Sequence, residues 1–273
     1  MKLSNLSKIF VEIRAKKSLG QNFLVDKNII KKIVDVANVI EKDHVLEIGP
    51  GTGNLTEIIW EKNPSKIYVI EKDNKLAENL KKKYQNRIVI INEDVLKFSE
   101  HLICDEKLIV FGNLPYNIST QILAKWIINN HKIDWFKSLV LMFQKEVADR
   151  IISEVNSKSY GRLSILSEWR LKIEKIIDIS PSCFLPRPKV QSTLLKFTPK
   201  NDYFIFDNPK NLEKITRIFF SQRRKKIKHS MKQLFKYPDK ISSKLKIDLN
   251  LRPQNLSPLD YFLITKEYEN LSS

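Results

Sequence analysis

Short apolar runs recur through the first two-thirds of the chain. Between them, apolar residues return every three or four positions. The runs cover 45–48, 67–70, 88–91, 108–111 and 139–142, and each is nearly all apolar and mostly β-branched. That composition predicts parallel strands buried on both faces of a sheet. The intervening stretches 27–38, 52–62, 74–84 and 120–130 have helical periodicity. In the first, Ile29, Ile30, Ile33, Val34 and Ala37 share one face, and Asp26 stands where an N-cap belongs. Alternating strands and helices predict an α/β, doubly wound, Rossmann-like sheet. Two later runs, Leu171–Ile179 and 190–197, are joined through Pro181, Pro186 and Pro188. The link is too short for a crossover helix, so the two form an antiparallel pair at one sheet edge. Beyond residue 200 no strand-like run remains and short helices are expected. The chain therefore divides into an α/β domain over 1–200 and a small helical domain over 201–273, with no internal repeat.

Composition fits this picture. The chain has 273 residues, 42% of them hydrophobic, enough for a packed core and too many for a disordered chain. No run approaches the ~18 apolar residues of a membrane span. Met1-Lys2-Leu3-Ser4 leads into no apolar signal core, and Glu12 argues against an organelle presequence, so a cytoplasmic protein without a membrane partner is expected. Lys and Arg number 48 against 31 Asp and Glu, a net charge of +17. Biased use of lysine could give such a surface; the functional reading is a polyanion, above all nucleic acid. Cys104 and Cys183 are far apart, and His44, His101, His131 and His229 lack ligand spacing, so neither a disulfide framework nor a metal site is expected.

The chain has six glycines, and three fall in Gly49-Pro50-Gly51-Thr52-Gly53. This loop follows the first strand and opens a helix, where open α/β sheets bind their ligands. The spacing is G-x-G-x-G, not the G-x-G-x-x-G of dinucleotide sites. Glu47, beside the loop, is badly placed for a pyrophosphate and suits an ammonium or a sulfonium. Glu71 ends the second strand and can accept both hydroxyls of a ribose. Asp94 follows the third strand and can accept an adenine amino hydrogen. An adenosine, a ribose and a cationic amino-acid tail together describe S-adenosylmethionine. The fourth strand runs into Phe111-Gly112-Asn113-Leu114-Pro115-Tyr116. An adenine amine is a poor nucleophile because its lone pair is delocalised into the ring. The Asn113 side-chain oxygen and the Leu114 carbonyl could accept its two hydrogens, with Pro115 holding that carbonyl inward and Tyr116 stacking on an extruded base.

These residues, with four further segments, resemble the small-subunit ribosomal RNA adenine dimethyltransferases (the KsgA family). The segments are Lys17-Ser18-Leu19-Gly20-Gln21-Asn22-Phe23-Leu24, Tyr160-Gly161-Arg162-Leu163-Ser164, Phe184-Leu185-Pro186-Arg187-Pro188-Lys189-Val190-Gln191-Ser192 and Phe220-Ser221-Gln222-Arg223-Arg224-Lys225. The resemblance implies transfer of two methyl groups from S-adenosylmethionine to each of two adjacent adenines, in a hairpin loop near the 3′ end of small-subunit rRNA. It implies a monomer acting on a pre-assembled small ribosomal subunit. Cofactor contacts would fall on Asn22, Leu24, Gly49, Gly51, Glu71, Asp94 and Asn113; the adenine site would be Asn113, Leu114, Pro115 and Tyr116. One departure is Glu154-Val155-Asn156, where the family often has Pro-Gly. Three alternatives stay open: a methyltransferase of large-subunit rRNA, a non-enzymatic assembly or transcription factor on the same scaffold, and an NAD oxidoreductase.

The stretch 217–236 carries eight basic residues and no acidic one. Its apolar stripe, Leu212, Ile215 and Phe219, resumes at Ile227, Met231 and Leu234. Two helical pieces are expected, with Arg223, Arg224, Lys225 and Lys226 at their junction as an rRNA-docking run. If Ser221 caps the second piece, its cationic first turn opposes the helix dipole, so phosphate binding rather than stability explains the placement.

Overall fold

The computed structural model describes residues 15–16, 20–128 and 134–272. The readings at Met1 to Ser4, Glu12, Lys17 to Leu19 and His131, and the end of helix 120–130, lie outside the described residues.

The strands are β1 (Phe23–Leu24), β2 (His44–Ile48), β3 (Lys66–Ile70), β4 (Val89–Ile91), β5 (Leu108–Asn113), β6 (Phe136–Gln144), β7 (Leu171–Ile179), β8 (Phe184–Leu185) and β9 (Ser192–Pro199). The helices are α1 (Lys27–Ala37), α2 (Asn54–Glu61), α3 (Asn74–Tyr84), α4 (Ser119–Ile128), α5 (Lys145–Ile151), α6 (Arg162–Arg170), α7 (Lys210–Ser221), α8 (Lys228–Leu234), α9 (Pro238–Leu245) and α10 (Pro258–Ser272).

Seven strands form one sheet in the order β4-β3-β2-β5-β6-β9-β7, parallel from β4 to β6. The antiparallel pair does form the edge. Within it β9 is the reversed strand, bonded to both β6 and β7. Strand alternation separates the core onto the two faces. Leu46, Val110, Leu139 and Leu141 pack with α4 on one side, while Val45, Ile109, Val140 and Met142 pack with α1 on the other. Asp26 caps α1 as expected, its carboxylate accepting from the amides of Asn28 and Ile29. Burying each large aliphatic side chain contributes ~1.5–3 kcal/mol, so this double-faced burial is what fixes the strand register.

The apolar packing on the α4 side continues without a break into the C-terminal helices. Phe219, Ile227, Met231 and Ile264 belong to the same cluster as Leu46. α7 and α8 are the two expected pieces, but Ser221 is not the cap of the second. It closes α7, its hydroxyl donating to the Ile218 carbonyl, and α8 starts only at Lys228. The basic run therefore lies in the connecting turn, not in a helical first turn, and the dipole argument does not apply to it.

The loop that departs from the family pattern is a turn in which the Ser157 amide donates to the Glu154 carbonyl. Asn156 has φ 70, a left-handed conformation that Asn tolerates better than most residues, so it takes the place of a glycine. The turn is clasped to the C-terminal region. The Asn156 amide donates to the Gln254 carbonyl, and Asn255 donates to the Asn156 side chain.

Candidate active site

Strand order reverses between β2 and β5, and the carboxyl ends of β2, β3, β4 and β5 bring Gly49, Glu71, Asp94 and Asn113 around one cavity. The sequence places these residues far apart; the parallel sheet assembles them at its switch point. Asn22, Leu24, Gly51, Leu114, Pro115 and Tyr116 line the same cavity. Every cofactor and adenine residue expected from the sequence thus meets at one place.

The glycine loop is held by its surroundings. Gly51 has φ 58, and a Cβ there would lie 2.8 Å from the Phe23 ring. The Gly51 amide donates to Glu71 at 3.2 Å, and the Asp73 amide to its other oxygen at 2.8 Å. Burial raises the Glu71 carboxyl above its ordinary range, with these amide bonds opposing the shift. Each oxygen keeps a lone pair for a ligand hydroxyl. Tyr84, at the end of α3, donates to the Gly53 carbonyl at 3.1 Å and so pins the other end of the loop. Asp73 caps α3 and pairs with Lys16 at 2.9 Å. Burial opposes its ionisation, but bonds from Lys16 and Gln21 hold it below the ordinary carboxylate range. Asp94 pairs with Lys72 at 2.8 Å, which keeps its carboxyl low and ionised.

Glu47 differs from the sequence expectation of a charged carboxylate. It is buried beneath the loop, accepts from the Thr56 hydroxyl at 2.6 Å, and is pushed up by burial to about 8. At neutral pH it is mostly a neutral acid. Its folded pKa exceeds the ordinary 4.5, so its contribution to stability is complete below that value and is lost as pH rises through about 8. Glu47→Gln keeps a neutral polar group there and removes the titration. Melting followed from about pH 5 to about pH 9 should show a smaller loss of stability in this variant than in the parent chain. The difference should be on the order of a few kcal/mol. Parallel melting curves for the two proteins would contradict the neutral assignment.

Asn113 lies at the end of β5, and its side-chain amide donates to the Asn22 carbonyl at 2.8 Å. That bond fixes the amide plane and leaves the oxygen of this cavity-lining residue as the acceptor not engaged by Asn22. The Pro115 carbonyl accepts from the Ile118 and Ser119 amides, anchoring the motif to the start of α4. The Tyr116 hydroxyl meets the Ser192 hydroxyl at 2.6 Å, which ties the ring to the start of β9. Burial raises the Tyr116 phenol, so it stays neutral.

Of the basic run, Arg224, Lys225 and Lys226 are exposed. Arg223 is half-buried and already engaged, donating to Gln254 at 2.9 Å and to the Ser157 carbonyl at 3.2 Å. Lys226 donates to Asn250 at 2.8 Å. The run is thus held in place by Arg223, which joins it to the 154–157 turn.

The chain is similar to known proteins over nearly its whole length. Residues 12–270 match the model of the Ribosomal RNA adenine dimethylase family. A Ribosomal RNA small subunit methyltransferase A from Pelagibacter ubique (strain HTCC1062) is 61% identical over 259 residues, covering 95% of this chain and 98% of that protein. The crystal structure of a dimethyladenosine transferase from Plasmodium falciparum superposes with TM-score 0.80 at 27% identity, covering 92% of this chain and 98% of that one. The 23S rRNA methyltransferase ErmE superposes with TM-score 0.65 at 21% identity, covering 91% and 99%, and shares the fold.

Proposed function

The chain belongs to the ribosomal RNA adenine dimethylase family, and from that premise we propose that it methylates two adjacent adenines, each twice, in the 3′-terminal hairpin loop of small-subunit rRNA. The observation that carries this reading is the orientation of Asn113. Its amide nitrogen is spent on Asn22, so its oxygen is free to accept a hydrogen of the target amine.

The residues present fit S-adenosylmethionine as cofactor. Glu71 and Asp94 offer carboxylate acceptors suited to a ribose diol and an adenine amine, and Gly49 and Gly51 of the 49–53 turn let backbone approach closely. When bound, the cofactor supplies an electrophilic methyl group on a sulfonium. In the first transfer Asn113 and the Leu114 carbonyl accept hydrogen bonds from the two hydrogens of the adenine amine. In the second, one of them accepts from the hydrogen that remains. Both favour a pyramidal nitrogen whose lone pair is free to attack, and each transfer releases one amine proton to solvent. Tyr116 stacks on the extruded adenine, its ring held by Ser192 before the base arrives. Asn22 and Leu24 close the cofactor side of the cavity; the Leu24 carbonyl is itself fixed by Asn54 at 2.8 Å.

Residues 201–273 act as a small helical docking domain for the small subunit, sharing the core on the α4 side of the sheet, and the enzyme works as a cytoplasmic monomer. Exposed Arg224 and Lys225 contact phosphates; Arg223 orients them. Arg224→Ala should weaken subunit binding and flatten the slope of log affinity against log salt by about one unit. Equal affinity and an unaltered slope would make the run ordinary surface. The high identity to a small-subunit enzyme speaks against the large-subunit alternative, the intact Asn113–Tyr116 motif against a non-enzymatic factor, and the glycine spacing against NAD. Primer extension on rRNA from treated subunits should stop at two adjacent adenines near the 3′ end. Stops confined to large-subunit rRNA would contradict the assignment.

A further inference from the structure

We propose that segment 185–191 is a second RNA-binding surface, which grips the rRNA backbone beside the extruded adenine. The proposal rests on the reading that this cavity methylates rRNA, and it adds a grip on the strand that the docking run, in the turn between α7 and α8, does not provide.

The segment is anchored at both ends against the site. Leu185 pairs with Phe23 in the two-stranded β1–β8 sheet, and the Lys145 amide donates to the Gln191 carbonyl at 2.9 Å. Ser192, the next residue, holds the Tyr116 hydroxyl. Lys189 is three residues from Ser192, so an extended chain keeps its Cα within about 11 Å of the residue that fixes the stacking ring. Lys189 thus stands close along the chain to the residue that holds the stacking ring, with Arg187 two residues further on.

The charge on this segment has no internal use. No acidic residue occurs between Asp178 and Asp202, while four basic ones do. Two of those four are engaged: Lys196 donates to the Val36 carbonyl and Lys200 to the Glu168 carbonyl. Arg187 and Lys189 are exposed and form no ion pair or hydrogen bond with their side chains among the described residues. Leu185 and Val190 flank them, 45% and 44% exposed, although both are apolar and next to a well-packed core. Two cations between two apolar side chains complement a nucleic-acid strand, with phosphates on the charges and sugar or base faces on the apolar groups. Pro186 and Pro188 precede the two cations and fix φ at alternate positions, so less conformational freedom is lost when the strand binds.

The test uses the full-length chain and small ribosomal subunits lacking the modification. Changing Arg187 and Lys189 together to Ala should lower subunit affinity at least tenfold. It should also flatten the log–log salt slope by about two units, one for each phosphate no longer neutralised. Cofactor affinity should not change. A photo-cross-linking residue in place of Lys189 should attach to nucleotides adjoining the methylated pair. Cross-links only to distant rRNA or to ribosomal protein, or an unaltered salt slope in the double variant, would overturn the proposal. Binding and cross-linking are read without methyl transfer. If the chain carrying the cross-linker attaches beside those adenines while the parent chain transfers no methyl group, the functional reading fails while the surface stands.

Discussion

Replacing Asn113 by alanine should slow single-turnover methyl transfer by ~10²–10³-fold, with a much smaller effect on subunit binding. The amine of adenine becomes nucleophilic only as its lone pair leaves the ring, so an acceptor held against its hydrogens acts mainly in the transition state. The bond from the Asn113 amide to the Asn22 carbonyl means that this acceptor is oriented before substrate arrives. Asn113→Asp separates orientation from acceptance. It keeps an oxygen for the amine but cannot donate to Asn22, and it sets a carboxylate against a carbonyl. It should therefore also lose rate, despite its stronger acceptor. Rates near the parent value in Asn113→Ala would remove the residue from the mechanism; normal rates in Asn113→Asp alone would remove the Asn22 tie.

Glu71→Ala should reduce cofactor affinity at least ~10²-fold, since charge-assisted hydrogen bonds are worth ~1.5–3 kcal/mol each and ~1.4 kcal/mol is a decade. The loss has two origins. The ribose hydroxyls lose their acceptor, and the amides of Gly51 and Asp73 lose theirs, which loosens the glycine loop itself. Glu71→Gln keeps an acceptor for one of those amides and should fall between the two proteins. Titration calorimetry with S-adenosylmethionine measures both. Affinity unchanged in Glu71→Ala would remove this residue from the cofactor site.

The sheet is legible in the sequence because its strands are short, β-branched and buried on both sides, so no helix periodicity competes with them. The reversed pair is legible from the prolines that leave no room for a crossover. Two-residue β1 and β8 carry no such signal, and their pairing joins Phe23 to Leu185 across most of the catalytic domain. Periodicity starts α2 two residues early, because Gly53 in a left-handed conformation, not Thr52, precedes its first turn. The site residues themselves are readable from strand ends and motifs. Their supports are not. Asn22 with Asn113 and Tyr116 with Ser192 are 91 and 76 positions apart, and nothing local marks either pair. Glu47 shows the same limit: its residue type suggests a charge, while its protonation follows from burial that only the folded chain creates.

Incubation with tritiated S-adenosylmethionine and small ribosomal subunits lacking the modification tests the central claim most directly. The account predicts label in the rRNA as dimethyladenosine at the two adjacent adenines, and none when fully modified subunits are supplied. Binding of both cofactor and subunit without label in the rRNA would contradict it.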